Sequence, residues 1–152
     1  MELSKRLSND YRIVLVGTND GLDKILPPNI ISIHRTNNQK ELAEIYTAAD
    51  LFVLPTREEN YPTVNMEALA CGTPVLTFRT GGSPEIIDET CGAVVDCDDI
   101  DAMEREIIRI CEENPYSKEA CIKKAQEFDQ NERFKEYVDL YERIVASRTE
   151  EN

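Results

Sequence analysis

Residues 58–82 read EENYPTVNMEALACGTPVLTFRTGG, and two carboxylates in this stretch, Glu59 and Glu67, have seven residues between them. Glu59 falls in a polar loop and Glu67 inside a short helix. Pro62 suits the first helical turn, Gly72 ends the helix, and Pro74 follows just beyond it. Val64, Met66, Ala68, Leu69, Ala70 and Cys71 make the helix apolar almost all round, the pattern of a buried helix. Glu67 is its only charge, and an ionised carboxylate in such surroundings needs a hydrogen-bond donor, from protein or from ligand.

Leu51-Phe52-Val53-Leu54 precedes this stretch as a short apolar run, read as a parallel strand. Its carboxyl end, where the helix starts, is the edge at which open α/β sheets hold their ligands. The first helical amides, at Thr63 and Val64, present an anion site unless the Asn60 side chain caps them.

The same alternation extends outward. Residues 1–9 are helical, residues 12–17 and 30–34 are strands, residues 39–49 a helix, and residues 75–78 and 93–95 two further strands. Helices follow over residues 99–113, from Ser117 to about Phe128, and over residues 131–148, with Ser117 and Asn131 as caps. Strands alternating with helices give an α/β, Rossmann-like parallel sheet of about five strands flanked by helices. At 152 residues the chain reads as a single domain. Phe134, Tyr137, Val138, Tyr141 and Ile144 recur at helical spacing and read as a packing face. Gly81-Gly82-Ser83-Pro84-Glu85 reads as a tight strand-to-helix turn with Ser83 as cap.

Thirty acidic against 17 basic residues leave a net charge of −13, most of the excess lying after Glu85. That field disfavours nucleic acid and anionic lipid as partners, and any bound polyphosphate must be met by local donors. No apolar run is long enough to span a bilayer and residues 1–10 are too polar for a secretory signal, so a cytoplasmic location is expected. The five cysteines form no C-x-x-C pair and His34 is the single histidine, so neither a disulfide framework nor a bound metal is expected. Cys71 and Cys111 read as small core residues; His34 suits either a structural position or a pocket wall.

The string E-x7-E at Glu59 and Glu67, joined to Ala-Cys-Gly-Thr-Pro-Val and Gly-Gly-Ser-Pro-Glu at these spacings, resembles the retaining nucleotide-sugar glycosyltransferases of family four, the glycosyl transferases group 1. The resemblance runs from about Tyr11 to Val95 and more loosely to the C-terminus. It implies the C-terminal, donor-binding half of a GT-B fold, acting in surface polysaccharide or glycoconjugate synthesis. It also implies roles: Glu59 as the catalytic carboxylate facing the donor sugar, Glu67 bonding the ribose hydroxyls, and Asn60, Tyr61, Pro62, Thr63 and Val64 holding the diphosphate and sugar. Arg35, Thr36 and Asn37, after the second strand, correspond to the base-binding loop; Arg35 suits either stacking on a base or pairing with an acidic neighbour. The implied substrate is a nucleotide diphosphate sugar, with no cofactor and no required metal.

The chain departs from the family in two respects. Asn60 stands where Gly is frequent. Nothing before Tyr11 supplies the family's opening strand and its diphosphate-gripping Arg and Lys, and Lys5 and Arg6 fall in a helix. The expectation is therefore a domain truncated at its N-terminal side, inactive alone, lacking the acceptor domain, and prone to self-association along the sheet edge at Val14 or the last helix. The complete enzyme is expected to have no transmembrane segment while admitting a peripheral place on a membrane.

Other readings are a sugar-nucleotide epimerase or phosphorylase on the same fold, and a non-catalytic Rossmann-like module binding a nucleotide or partner. A retaining hydrolase needs its carboxylates about 5–5.5 Å apart across the bond, and E-x7-E gives no reason for that spacing. Gly17-Thr18-Asn19-Asp20-Gly21 lacks the full dinucleotide fingerprint.

Overall fold

A computed structural model describes residues 2–150, with the side chains of 148–150 left aside. Five strands run β1 (Ile13–Val16), β2 (Ile30–Ile33), β3 (Phe52–Leu54), β4 (Val75–Phe78) and β5 (Gly92–Val95). Eight helices accompany them: α1 (Leu3–Arg6), α2 (Asp20–Asp23), α3 (Gln39–Ala48), α4 (Thr63–Ala70), α5 (Ser83–Ile86), α6 (Ile100–Glu113), α7 (Lys118–Gln126) and α8 (Gln130–Glu150). Every strand pairing is parallel, as the α/β alternation requires.

β4 sits at the centre of a three-stranded sheet in the order β3-β4-β5, and all four of its residues are buried. The strand's period of two divides them. Val75 joins Tyr46, Ala68, Leu69, Ile86, Ile87, Cys91 and Cys121 on one side of the sheet. Leu76 and Phe78 join Leu7, Val95, Met103, Ile107 and Ile110 on the other. Thus α3, α4 and α7 cover one face and α6 the other, the double covering that a parallel sheet needs.

The five strands do not form the single sheet that the alternation suggests. β1 and β2 pair with each other as a separate two-stranded sheet, matching Ile13 with Ile30 and Val16 with Ile33. Among the described residues β1 pairs only with β2 and β3 only with β4, so each keeps an open edge. Val14 and Val16, which point to one face of the β1-β2 sheet, are each 42% exposed. Strand periodicity is a local signal, whereas a lateral neighbour is not.

Several boundaries are set by caps the sequence carries. Asn38 accepts from the Glu41 amide while Glu41 accepts from the Asn37 amide, a reciprocal closure of the α3 N-terminus. Ser117 caps α7 through the Ala120 amide. The cap of α8 is Asp129, not Asn131: its Oδ1 accepts from the amides of Asn131 and Glu132. The aromatic stripe of α8 is not packed among the described residues; Phe134, Tyr137, Val138, Tyr141 and Ile144 are all exposed. Cys91 and Cys121 are buried in the core and Cys71, half-buried, packs against it as read, whereas Cys111 is exposed; all five cysteines are free.

Candidate functional site

Two loops leave the carboxyl edge of the three-stranded sheet side by side, one from β3 carrying Glu59 and one from β4 carrying Gly81 and Gly82. Hydrogen bonds lace them together. Thr80 Oγ1 donates to the Thr56 carbonyl at 2.9 Å, and the Gly82 amide to the Asn60 carbonyl at 2.6 Å. Gly81 adopts φ +48°, and a β-carbon there would overlap the Glu59 carbonyl. One at Gly82 would overlap the Tyr61 ring and lie 2.7 Å from the Asn60 oxygen. Glycines at these two positions thus let the second loop seat directly beneath the first.

Pro62, with extended backbone, precedes α4, and no side chain among the described residues caps the helix. Asn60 therefore does not close this terminus. The Asn65 amide bonds the Pro62 carbonyl at 3.1 Å, while the amides of Thr63 and Val64 have no acceptor among the described residues. Open first-turn amides concentrate the positive end of the helix dipole where the two loops meet.

α4 is not buried all round. Thr63, Glu67 and Ala70 share an exposed face, while Asn65, Ala68 and Leu69 are buried. Glu67 accordingly meets solvent and does not need a buried donor. Its Oε2 accepts a bond from the Tyr46 hydroxyl at 3.4 Å. Burial first, and then the charge of Glu67, push the Tyr46 phenol up to about 12, so it stays a donor. Tyr46 steadies one carboxylate oxygen and leaves the other open. Sequence analysis did not single out Tyr46, and nothing local marks its hydroxyl as a partner of a carboxylate 21 positions away.

The basic side chains at this edge are engaged. Arg57 pairs with Asp98 at 2.7 Å and Arg79 with Asp96 at 3.1 Å, tying both loops to the turn after β5. Glu59 is half-buried and Asn60 exposed. Tyr61 stands edge-on to Phe128, ring centroids 6.4 Å apart.

The structure therefore brings Glu59, Asn60, Tyr61, Pro62, Thr63, Val64 and Glu67 onto one loop and helix. Arg35, Thr36 and Asn37 follow β2 in the other sheet and share no hydrogen bond with the Glu59 loop among the described residues. Arg35 is exposed and pairs with no carboxylate among them, and Asn37 gives both its backbone and side-chain N–H to Glu41.

Asp20, Asp23 and His34 are the one group among the described residues whose ligand atoms lie close enough together to hold a metal ion, and all three are exposed. Asp23 already accepts from Ser32 at 2.5 Å and meets His34 Nε2 at 2.7 Å. Those contacts draw its carboxyl below the usual range. The cluster is thereby a hydrogen-bonded Asp–His pair with Asp20 beside it.

Comparison with known proteins follows the same lines. D-inositol 3-phosphate glycosyltransferase of Saccharomonospora viridis is 30% identical over 133 residues, covering 84% of this chain and 29% of that protein. The enzyme of the same name from Mycobacterium sp. strain KMS is 31% identical over 104 residues, 60% of this chain and 24% of its own length. Among solved structures, sucrose-phosphate synthase of Thermosynechococcus elongatus superposes with a TM-score of 0.76 at 26% identity, over 90% of this chain and 39% of that one. Anabaena HepE, solved with UDP, gives 0.68 at 18% identity over 84% of this chain and 38% of its own. The chain thus spans between about a quarter and two fifths of the length of these relatives. The family described as "Glycosyl transferases group 1" matches residues 1–128. A match of that extent, over a Rossmann-like α/β domain of the GT-B kind, makes the chain a member of the glycosyl transferases group 1 family.

Proposed function

We propose that this domain holds the nucleotide diphosphate sugar donor of a retaining glycosyltransferase that passes the sugar to an acceptor. The observation that carries this reading is the α4 terminus: the uncapped amides of Thr63 and Val64 lie between Glu59 on the preceding loop and Glu67 one turn further along. Those amides receive the diphosphate, whose charge grows as the sugar leaves; stabilising developing charge is commonly the largest catalytic contribution. Glu67, held by Tyr46, accepts from the ribose hydroxyls, and charge-assisted bonds of that kind are about twice as strong as neutral ones. Glu59 faces the donor sugar as the catalytic carboxylate, with Asn60, Tyr61 and Pro62 shaping the sugar site. Arg35, which pairs with no carboxylate among the described residues, and Thr36 and Asn37 border the base.

Anabaena HepE has been solved with UDP and with UDP-glucose, which supports a nucleotide-sugar donor here. In this reading the helix terminus meets the diphosphate without a required metal or cofactor. The acceptor and its deprotonating group belong to a further domain, so this domain alone is inactive. Synthesis of surface polysaccharide or glycoconjugate on the cytoplasmic side of a membrane is the proposed setting; no described helix is long and apolar enough to cross one. The test is Glu59→Gln in the complete enzyme. We expect kcat to fall about 100-fold, the scale of losing one transition-state contact, with nucleotide affinity retained. Unchanged kcat overturns the catalytic role of Glu59.

A further inference from the structure

Among the described residues, three polar side chains enclosed at the carboxyl edge of the three-stranded sheet have no protein partner: Asn65 through both Oδ1 and Nδ2, Ser83 through Oγ and Thr56 through Oγ1. Asn65 and Ser83 are fully buried, at 0% exposure. Ser83 is the first residue of α5 rather than its cap, and no side chain among the described residues caps that helix. A buried amide and buried hydroxyls without partners are costly, and native proteins pair nearly all of them with protein or ordered water.

The backbone ties these residues to one neighbourhood. The Asn65 amide bonds the Pro62 carbonyl, the Gly82 amide bonds the Asn60 carbonyl, and the Ser83 amide bonds the Thr80 carbonyl. The Thr80 hydroxyl in turn bonds the Thr56 carbonyl. Asn65 sits in the first turn of α4, Ser83 directly after Gly82, and Thr56 at the root of the Glu59 loop. Water suits this mixture of groups: a buried water makes about three hydrogen bonds, donating to an amide oxygen or hydroxyl and accepting from an amide N–H or hydroxyl.

We propose that Asn65, Ser83 and Thr56 are joined through buried water, and that Asn65 is thereby a positioning residue, fixing the first turn of α4 against the Gly81-Gly82 turn. The first turn carries the Thr63 and Val64 amides, so the water link sets where the open donors point. The positioning role rests on the proposed donor reading, whereas the water does not.

Three measurements on the intact chain separate these. A high-resolution crystal structure should show a water within hydrogen-bond reach of both the Asn65 amide and Ser83 Oγ. A dry contact, or a direct Asn65–Ser83 bond, overturns the link. Thermal unfolding supplies an independent reading. Replacing an idle unpaired amide by an apolar residue of similar volume raises or preserves Tm, but breaking a satisfied network lowers it. Asn65→Leu and Ser83→Ala should each lower Tm, and the double variant should lose less than the sum, because the two share one network. A raised Tm in Asn65→Leu, or additive losses, contradicts the proposal. Each folded variant should also bind UDP, GDP or ADP, whichever the unaltered chain takes, about tenfold more weakly, the equivalent of roughly one hydrogen bond. Unchanged affinity with lowered Tm leaves the water and removes the positioning role. Failure of the unaltered chain to bind any of the three removes that role together with the donor reading. Should Asn65→Leu not fold, Ser83→Ala, which deletes one hydroxyl, carries the same comparison.

Discussion

Gly81 packs against the main chain of Glu59 with no room for a β-carbon: one placed there would overlap the Glu59 carbonyl oxygen and lie 3.0 Å from that of Asn60. The backbone at Gly81 is also left-handed, at φ +48°. Gly81→Ala should therefore cost about 1–3 kcal/mol from backbone strain alone, with the clash adding to it. Because the displaced neighbour is the Glu59 loop, nucleotide binding should weaken in step. Denaturant midpoints matching those of the unaltered chain would show that the two loops separate freely.

Asp88 supplies a pH dependence. Its carboxylate accepts from the Thr90 hydroxyl and amide and pairs with Lys124 at 3.2 Å, linking the turn before β5 to α7. These contacts, the Thr90 hydroxyl foremost, hold its carboxyl down at about 2, below the ordinary 3.8. A depressed folded-state value stabilises above the unfolded value and is lost as pH falls through the folded one. Stability should thus decline between about pH 4 and pH 2. Asp88→Asn should be less stable at neutral pH and flatter over that interval in Tm against pH; parallel curves would refute the assignment.

Burial pushes the Cys91 and Cys121 thiols up to about 11, whereas Cys97 is exposed. Because the thiolate is the reactive form, iodoacetamide at pH 8 should modify Cys97 in the folded protein and reach Cys91 and Cys121 only on unfolding. Early labelling of Cys121, read by peptide mass spectrometry, would place α7 away from the core.

The open edge of β1 and the exposed stripe on α8 form apolar surface of the kind that promotes association. Light scattering should show self-association rising with concentration and reduced by Val14→Lys or by Tyr141→Glu. A monomer across a broad concentration range would contradict this.

Residues whose message is local were legible. Gly72 at φ +79° ends α4 as read, and Ser117 caps α7. What escaped depended on which groups meet in space. The exposed face of α4 is Thr63, Glu67 and Ala70; Thr and Ala carry little polarity, so the helix looked apolar all round. Asp129 and Asn131 are both good caps, and only the chain path chooses between them. The Tyr46–Glu67 bond joins residues 21 positions apart, and the split into two sheets turns on lateral pairing. Neither leaves a periodic trace in the chain.

The donor reading stands or falls most directly on a titration of this domain with UDP, GDP and ADP, followed by amide NMR and repeated with Glu67→Gln. One nucleotide should give saturable shifts across residues 59–67, with affinity weakened in the folded variant by about 1–3 kcal/mol, the loss expected for hydrogen bonds to a charged group. Equal affinity in Glu67→Gln, or shifts confined to residues outside 59–67, would contradict it.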